Sequence, residues 1–233
     1  MTKSGRDTFT RIVNNLRSIR DAVAQRDLHI TIRTNFTRSL INNLKPFVDF
    51  LAEEFRGDGR FDFLWRAASD WGGNTVQTIH DDLCSNESLL PCIEYGISCG
   101  LRFPTMFDTL KPFGTECYAA ARNNIIIGSD GIARKCTCAL DDTRNAVGDL
   151  RQGGSLYLDE ERLTHWTSPQ SGVDCQACPK RPICFGRACP KANLDGTEYT
   201  CSFEMRNIDA LIRLAALDRV TAGATRHMWL ETP

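Results

Sequence analysis

The chain has 233 residues, a formal net charge of -1 and 42% hydrophobic residues, a composition typical of an ordinary globular protein. The balanced charge argues against a nucleic-acid partner, and no apolar run reaches the roughly 20 residues that a membrane-spanning helix needs. The first residues lack the apolar stretch of an export signal, which favours a cytoplasmic location. Eleven cysteines in such a chain indicate metal binding rather than disulfide formation.

The first 75 residues alternate between helical and extended patterns. Apolar residues spaced by three and four predict helices over 8–25 and 39–55. Alternating or largely apolar runs predict strands over 28–35 and 61–66. The order helix, strand, helix, strand favours a parallel sheet with crossover helices, and therefore an α/β fold class. Because two strands leave at least one sheet edge unpaired, this segment is predicted to be part of a larger barrel.

A connecting region of residues 76–114 comes next, with a polar loop and a predicted helix around 88–101. Cys92 and Cys99 are seven residues apart on one face of that helix, so we expect them to be buried as small apolar side chains. Cys84 lies in the loop, and its role is open.

The rest of the chain is rich in turns. Two apolar runs around the Asp130-Gly131 turn predict a hairpin that brings Cys136 back toward Cys117. A short strand over 145–150 and a helix over 159–166 follow. Three prolines in the loop 173–191 disfavour regular structure there, and a closing helix is predicted over 203–220.

Seven cysteines and one glycine form an ordered pattern in this second part of the chain. The pattern is Cys117-x13-Gly131-x4-Cys136, then Cys175-x2-Cys178-x5-Cys184-x4-Cys189, and finally Cys201. Thiols that converge from short loops suit iron-sulfur clusters, since each cluster binds several thiolates around one inorganic core. The pattern therefore predicts cluster binding.

The position of one proline indicates how these cysteines divide. In bacterial ferredoxin runs, the cysteine followed directly by proline binds the other cluster, and Pro190 follows Cys189 here. On that comparison, one cluster has four ligands, Cys175, Cys178, Cys184 and Cys201. The second has three, Cys117, Cys136 and Cys189.

The pattern resembles the SPASM domain of radical S-adenosylmethionine enzymes, such as anaerobic sulfatase maturases and peptide maturases, over residues 115–202. The family usually has three residues where this chain has four between Cys184 and Cys189. The resemblance implies two auxiliary [4Fe-4S] clusters, oxidative modification of a peptide or protein substrate, and an electron donor such as a flavodoxin or a ferredoxin. It implies no particular catalytic residue.

The resemblance leaves one cluster short of a ligand, and Cys138 is the candidate for the eighth. In an extended strand Cys136 and Cys138 would share a face, with side chains roughly 7 Å apart, a long separation for two ligands of one compact cluster unless the strand has ended. A free cysteine at position 138 is an equal alternative, and the open iron would then be available to a substrate.

Residues 1–75 are similar to the second half of the partial (β/α) barrel of the same enzymes, and residues 203–233 form the closing helix and tail. On this resemblance Arg33, Asn35 and Leu64 would line the side of the barrel that faces S-adenosylmethionine. The Cys-x3-Cys-x2-Cys motif that binds the cofactor's own [4Fe-4S] cluster is absent from the sequence. The chain therefore resembles the C-terminal portion of such an enzyme, and we expect it to be inactive by itself.

A different class of function is also compatible with the cysteines. Cys175, Cys178, Cys184 and Cys189 could bind one zinc ion in a tetrahedral all-thiolate site, and the protein would then be a binding module or accessory subunit without catalysis of its own. This alternative leaves Cys117, Cys136 and Cys201 without a shared role.

Overall fold

The computed structural model describes residues 7–22, 28–70, 74–151, 153–168, 173–185, 189–191 and 201–230. Contacts between residues divide the chain into two compact units. Unit 1 comprises residues 1–68, 84–105 and 213–233, and unit 2 comprises residues 69–83 and 106–212. The fold is mixed α/β, and within the described ranges the strands form one two-stranded and one four-stranded sheet and no closed barrel.

Unit 1 is built on the parallel strand pair that the sequence predicts. Its elements are α1 (Thr8–Asp21), β1 (Ile30–Phe36), α2 (Arg38–Ile41), α3 (Leu44–Phe55), β2 (Phe61–Ala67) and α4 (Leu90–Ser98). The two strands pair in parallel, with Arg33 opposite Leu64. A 3₁₀ turn, Asn86–Leu89, leads into α4. The predicted order helix, strand, helix, strand is confirmed.

Aromatic side chains form the core on one face of this sheet. Phe61, Phe63 and Trp65 of β2 are at most 3% exposed. The Phe61 ring lies 4.7 Å from that of Phe55, and the Trp65 ring lies 4.8 Å from that of Phe103. Each such ring buries a large apolar area, so this face provides most of the hydrophobic stabilisation of unit 1.

The helices of unit 1 differ in detail from the predictions. The helix predicted over 39–55 is interrupted at Asn42 and Asn43, which divide it into α2 and α3. In α1 only Val13 is buried, whereas Phe9 and Ile12 are more than half exposed. Residues 23–25 of the predicted first helix lie outside the described residues. Cys92 and Cys99 are half-buried, so the prediction that they are buried was wrong.

A polar clamp holds α1 against α3. Glu54 accepts hydrogen bonds from both Arg17, at 3.0 Å from Nε, and Arg20, at 2.7 Å from Nη1. Its side chain is only 11% exposed. The two arginines therefore replace much of the apolar contact that the predicted helix stripe would have made.

Unit 2 contains an antiparallel sheet whose strands follow each other in chain order. The strands are β3 (Ile126–Ile127), β4 (Ile132–Arg134), β5 (Ala146–Leu150) and β6 (Leu156–Leu158). The predicted hairpin is confirmed, and Gly131 adopts a φ of +76° in its turn, a conformation that glycine accepts without strain. β6 was not predicted, because three residues are too few for a periodicity argument.

The helices of unit 2 and the chain end complete the fold. They are α5 (Pro104–Phe107), α6 (Glu160–Thr167), α7 (Val173–Gln176), α8 (Arg181–Cys184), α9 (Phe203–Arg206) and α10 (Ile208–Leu230), of which α5 and α10 run across the unit boundary.

The prediction of irregular structure around the prolines was wrong at α8. Pro182 lies in its first turn, where the missing N–H is not needed. In the described part of the chain, no helix combines the length and the apolar character that crossing a bilayer requires.

Candidate metal centres

Eight of the eleven cysteines lie in two groups within unit 2. We name the groups site A, made of Cys117, Cys136, Cys138 and Cys189, and site B, made of Cys175, Cys178, Cys184 and Cys201. None of the eleven cysteines forms a disulfide. Each site contains one buried cysteine, Cys136 in site A and Cys184 in site B, together with more exposed ones.

Site B is a cavity whose walls carry all four of its cysteines. The other lining residues are Lys180, Arg181 and Met205. The cavity forms because short turns bend the chain around it: the Cys178 N–H donates to the Cys175 carbonyl at 3.4 Å, and the Arg181 N–H donates to the Cys178 carbonyl at 3.1 Å. Four cysteines from two segments of chain, 173–185 and the one that begins at Cys201, therefore line a common space.

The end of α8 fixes the position of Cys184. Phe185 follows it in a left-handed conformation with φ +51°, and its N–H closes the helix on the Arg181 carbonyl at 2.7 Å. The Phe185 ring stacks on Phe113, with 3.9 Å between ring centroids and 6° between planes. A non-glycine residue in this conformation is strained, so the stacking helps to hold the turn that carries the ligand loop.

Site A is assembled from three segments. Cys117 precedes a 3₁₀ turn, Tyr118–Ala120, while Cys136 and Cys138 follow β4. Cys189 comes from the loop beyond α8. Around Cys136 the protein forms a small apolar cluster with Ala119, Ala139, Val147 and Trp166, against which Cys117 packs. The thiols thus lie at the edge of the core of unit 2.

Electrostatic interactions between thiols show which cysteines are neighbours in each site. Burial raises the pKa of Cys117, and the charges of Cys189, Cys136 and Cys138 raise it further. Burial likewise raises the pKa of Cys201, and there the contributing thiolates are Cys175, Cys178 and Cys184. Four thiolates so close to each other repel, so each group would be stable in the deprotonated form only with a cationic centre among them.

The predicted obstacle to Cys138 as a ligand is absent. β4 ends at Arg134, before either cysteine, so the pleat that would separate their side chains does not extend to them. The chain instead turns tightly, and the Cys138 N–H donates to the Cys136 sulfur at 3.3 Å. The structure therefore brings Cys138 to site A through this turn.

Asn145 holds this turn, because each of the two polar atoms of its side chain makes two hydrogen bonds with the backbone. Its Oδ1 accepts from the N–H groups of Lys135, at 3.0 Å, and Cys136, at 2.9 Å. Its Nδ2 donates to the carbonyls of Cys136 and Ala139, both at 2.8 Å. The side chain is completely buried. Asn145 therefore sets the backbone of the segment that carries two thiols.

Tyr118 and Lys135 support the same segment from the other side. The Tyr118 hydroxyl accepts from the Thr137 N–H at 3.0 Å. Lys135 is completely buried, and its Nζ donates to the carbonyls of Ala121 at 2.5 Å and Asn124 at 2.7 Å. Sequence reasoning missed Asn145, Lys135 and Tyr118, because the only signal was their proximity in sequence to cysteines.

The two kinds of metal centre need different separations between their thiolates. In the part of the chain that the structure describes, no group of three or more Cys, His, Asp or Glu side chains is already arranged to hold a metal. Four sulfurs around one zinc ion, each about 2.3 Å from the metal, lie roughly 3.8 Å from one another. In an iron-sulfur cluster each thiolate binds a different iron, so the sulfurs stand further apart.

The residues predicted on the cofactor side of the barrel share one face of the sheet in unit 1. Arg33 and Asn35 of β1 are exposed and Leu64 of β2 is half-buried. The Arg33 Nε donates to the Asn35 Oδ1 at 3.3 Å. This face lies opposite the aromatic core, so two polar groups and one apolar group are available there to a ligand.

Comparison with models of protein families, with curated proteins and with solved structures finds no match.

Proposed function

We propose that this chain is the C-terminal portion of a radical S-adenosylmethionine enzyme with a SPASM domain, and that it carries two auxiliary [4Fe-4S] clusters. The grouping of eight cysteines into two sets of four supports this proposal most directly. Cys189 lies near Cys117 and not among the residues that line site B, whereas Cys201 does line site B. This is the division that the resemblance implies.

The donor sets fit the clusters in number and in chemistry. Each site offers four thiols, the number of ligands that a [4Fe-4S] cluster takes. Site A would use Cys138 as its fourth ligand, so neither cluster would have an iron open to substrate. When bound, the clusters supply sites for one-electron transfer. We therefore assign both sites to electron transfer, with a flavodoxin or ferredoxin as the donor and a peptide or protein as the oxidised substrate.

The protein itself would position the clusters and tune them. Phe185 and the turns around Cys178 hold the ligands of site B, and Asn145 holds those of site A. In the intact enzyme Arg33, Asn35 and Leu64 would line the side that faces S-adenosylmethionine. Because the printed sequence lacks the Cys-x3-Cys-x2-Cys motif, we expect no cleavage of S-adenosylmethionine by this chain alone.

The same grouping of cysteines argues against the zinc alternative. The four-cysteine zinc alternative needs Cys189 beside Cys175, Cys178 and Cys184, yet the side chain that joins those three at the cavity is Cys201.

Anaerobic reconstitution with iron and sulfide tests the proposal. We expect about eight irons and eight sulfides per chain, with broad visible absorbance. Cys201→Ala is expected to keep about four irons, because it removes one ligand of site B alone. Cys92→Ala, a half-buried cysteine outside both sites, is the matched control and is expected to keep all eight. A colourless protein with stoichiometric zinc would refute the proposal.

A further inference from the structure

Lys135 is a buried charged side chain that the ligand sets do not use. Its side chain is completely buried, which is rare for lysine. Its Nζ has two protein partners, the carbonyls of Ala121 and Asn124, at 2.5 and 2.7 Å. An ammonium has three donors and no acceptor, so both contacts use it as a donor.

No carboxylate compensates this charge within the described ranges. None of the ion pairs in that part of the protein includes Lys135. A buried ammonium without a counter-ion is costly, because it has lost its hydration and gained only two carbonyl dipoles. Burial accordingly lowers the pKa of Lys135, the thiolate of Cys117 raises it and the charge of Arg122 lowers it. A negative group nearby would offset the cost of burying the ammonium.

Site A provides that negative group if it holds a cluster. Lys135 directly precedes the ligand Cys136, and its Nζ donates to the carbonyl of Ala121, which ends the 3₁₀ turn that Cys117 of the same site begins. Four thiolates around a [4Fe-4S] core leave a net negative charge, and each electron that the core accepts adds one more. A fixed cation in a poorly hydrated position stabilises the more negative, reduced form more than the oxidised form.

We propose that Lys135 is the buried counter-charge of site A and that it raises the reduction potential of the cluster bound there. This inference rests on the proposed function. Two partly exposed cationic side chains, Lys180 and Arg181, line the cavity of site B, and the Lys180 Nζ donates to the Met205 carbonyl at 2.7 Å. Water screens an exposed charge more than a buried one. Lys180 therefore shifts the potential of site B less than Lys135 shifts that of site A.

The experiment measures potentials, a quantity that a purely structural lysine would leave unchanged. Wild-type protein, Lys135→Met and Lys180→Met are reconstituted, their irons are counted, and each is titrated with reductant while the clusters are followed by electron paramagnetic resonance. A Cys201→Ala background, which lacks the cluster of site B, assigns the signals. Absence of iron in the wild-type protein would contradict the proposed function before any lysine is tested.

With both clusters present, Lys135→Met is expected to lower the equilibrium constant for reduction at site A at least tenfold. For a one-electron couple this is a fall in potential of about 59 mV. Lys180→Met should leave the signal of site A unchanged. A change at site A of less than twofold in Lys135→Met, or an equal change in Lys180→Met, would overturn the inference.

Lys135→Met could lose the site A cluster altogether. A second variant, Lys135→Arg, keeps the charge and then shows whether the position needs the charge or the lysine shape. In Lys135→Arg, eight irons and an equilibrium constant for reduction of site A within threefold of the wild-type value would support the role of Lys135 as a counter-charge. Loss of the same four irons in both variants would show that the position needs the lysine shape, and the inference would be wrong.

Discussion

Replacement of Asn145 by alanine tests the architecture of site A without any metal. The side chain is completely buried and takes part in four hydrogen bonds between 2.8 and 3.0 Å. Asn145→Ala removes all four at once and leaves two N–H groups and two carbonyls without these partners. A buried hydrogen bond contributes about 1 kcal/mol net, so the four together contribute about 4 kcal/mol.

We therefore expect Asn145→Ala to lower the free energy of unfolding of the metal-free protein by about 4 kcal/mol. This is a large share of the roughly 5–15 kcal/mol that stabilises a typical domain. The assay is urea unfolding followed by tryptophan fluorescence. Trp166 is a suitable probe, since it packs in the same apolar cluster as Cys136.

The matched control is Asn43→Ala, which removes an exposed asparagine with a single hydrogen bond, to the Ser39 carbonyl at 3.3 Å. We expect a change below about 0.5 kcal/mol. In the reconstituted protein, Asn145→Ala should also lose the four irons of site A and keep those of site B. A loss of stability below about 1 kcal/mol in Asn145→Ala, or one equal to the control, would refute the role assigned to this side chain.

Two further predictions concern the scaffold. The pKa of Glu54 is lowered by its hydrogen bond to Arg17, so its contribution to stability is present above the unfolded value of about 4.3 and is lost as the pH falls through the lower folded value. Glu54→Gln should cost about 1 kcal/mol at most at pH 7, since its partner arginines are partly exposed, and the difference from wild type in urea unfolding should shrink as the pH falls below the unfolded pKa and through the lowered folded pKa; a difference that does not change with pH would contradict the assignment. In Gly148→Ala a Cβ would lie 3.0 Å from the Leu158 Cα and closer still to the Tyr157 carbonyl, so the pairing of β5 with β6 should weaken by about 2 kcal/mol or more. Gly153→Ala, which has open space but a φ of +92°, should cost only about 1 kcal/mol when both variants are compared by urea unfolding, and equal losses would refute the steric argument.

Local pattern in the sequence was sufficient for much of the scaffold. The alternation of helical and extended periodicity predicted β1, α3 and β2. It also predicted the parallel pairing of β1 with β2, because a helix that connects two neighbouring strands returns the chain to the same end of the sheet. The Asp130-Gly131 turn predicted the hairpin, because glycine accepts the positive φ found there. Element ends were less predictable, since Asn42 and Asn43 interrupt a helix whose apolar spacing runs through them.

Some features of the candidate site could likewise be predicted from the sequence, and others could not. The order of the cysteines and the proline that follows Cys189 predicted two groups. Spacing could not place Cys138, whose position depends on the end of β4 at Arg134. It also gave no sign of Asn145 or Lys135, since their roles come from complete burial against backbone groups six to 14 residues away.

The sequence by itself thus determined which residue types and which local conformations meet in each segment, because periodicity and turn chemistry act between near neighbours. Only the tertiary structure decided whether Cys138 lies beside the other cysteines of site A and which polar side chains lose contact with water. Burial and convergence are properties of segments far apart in the chain, and no local pattern encodes them.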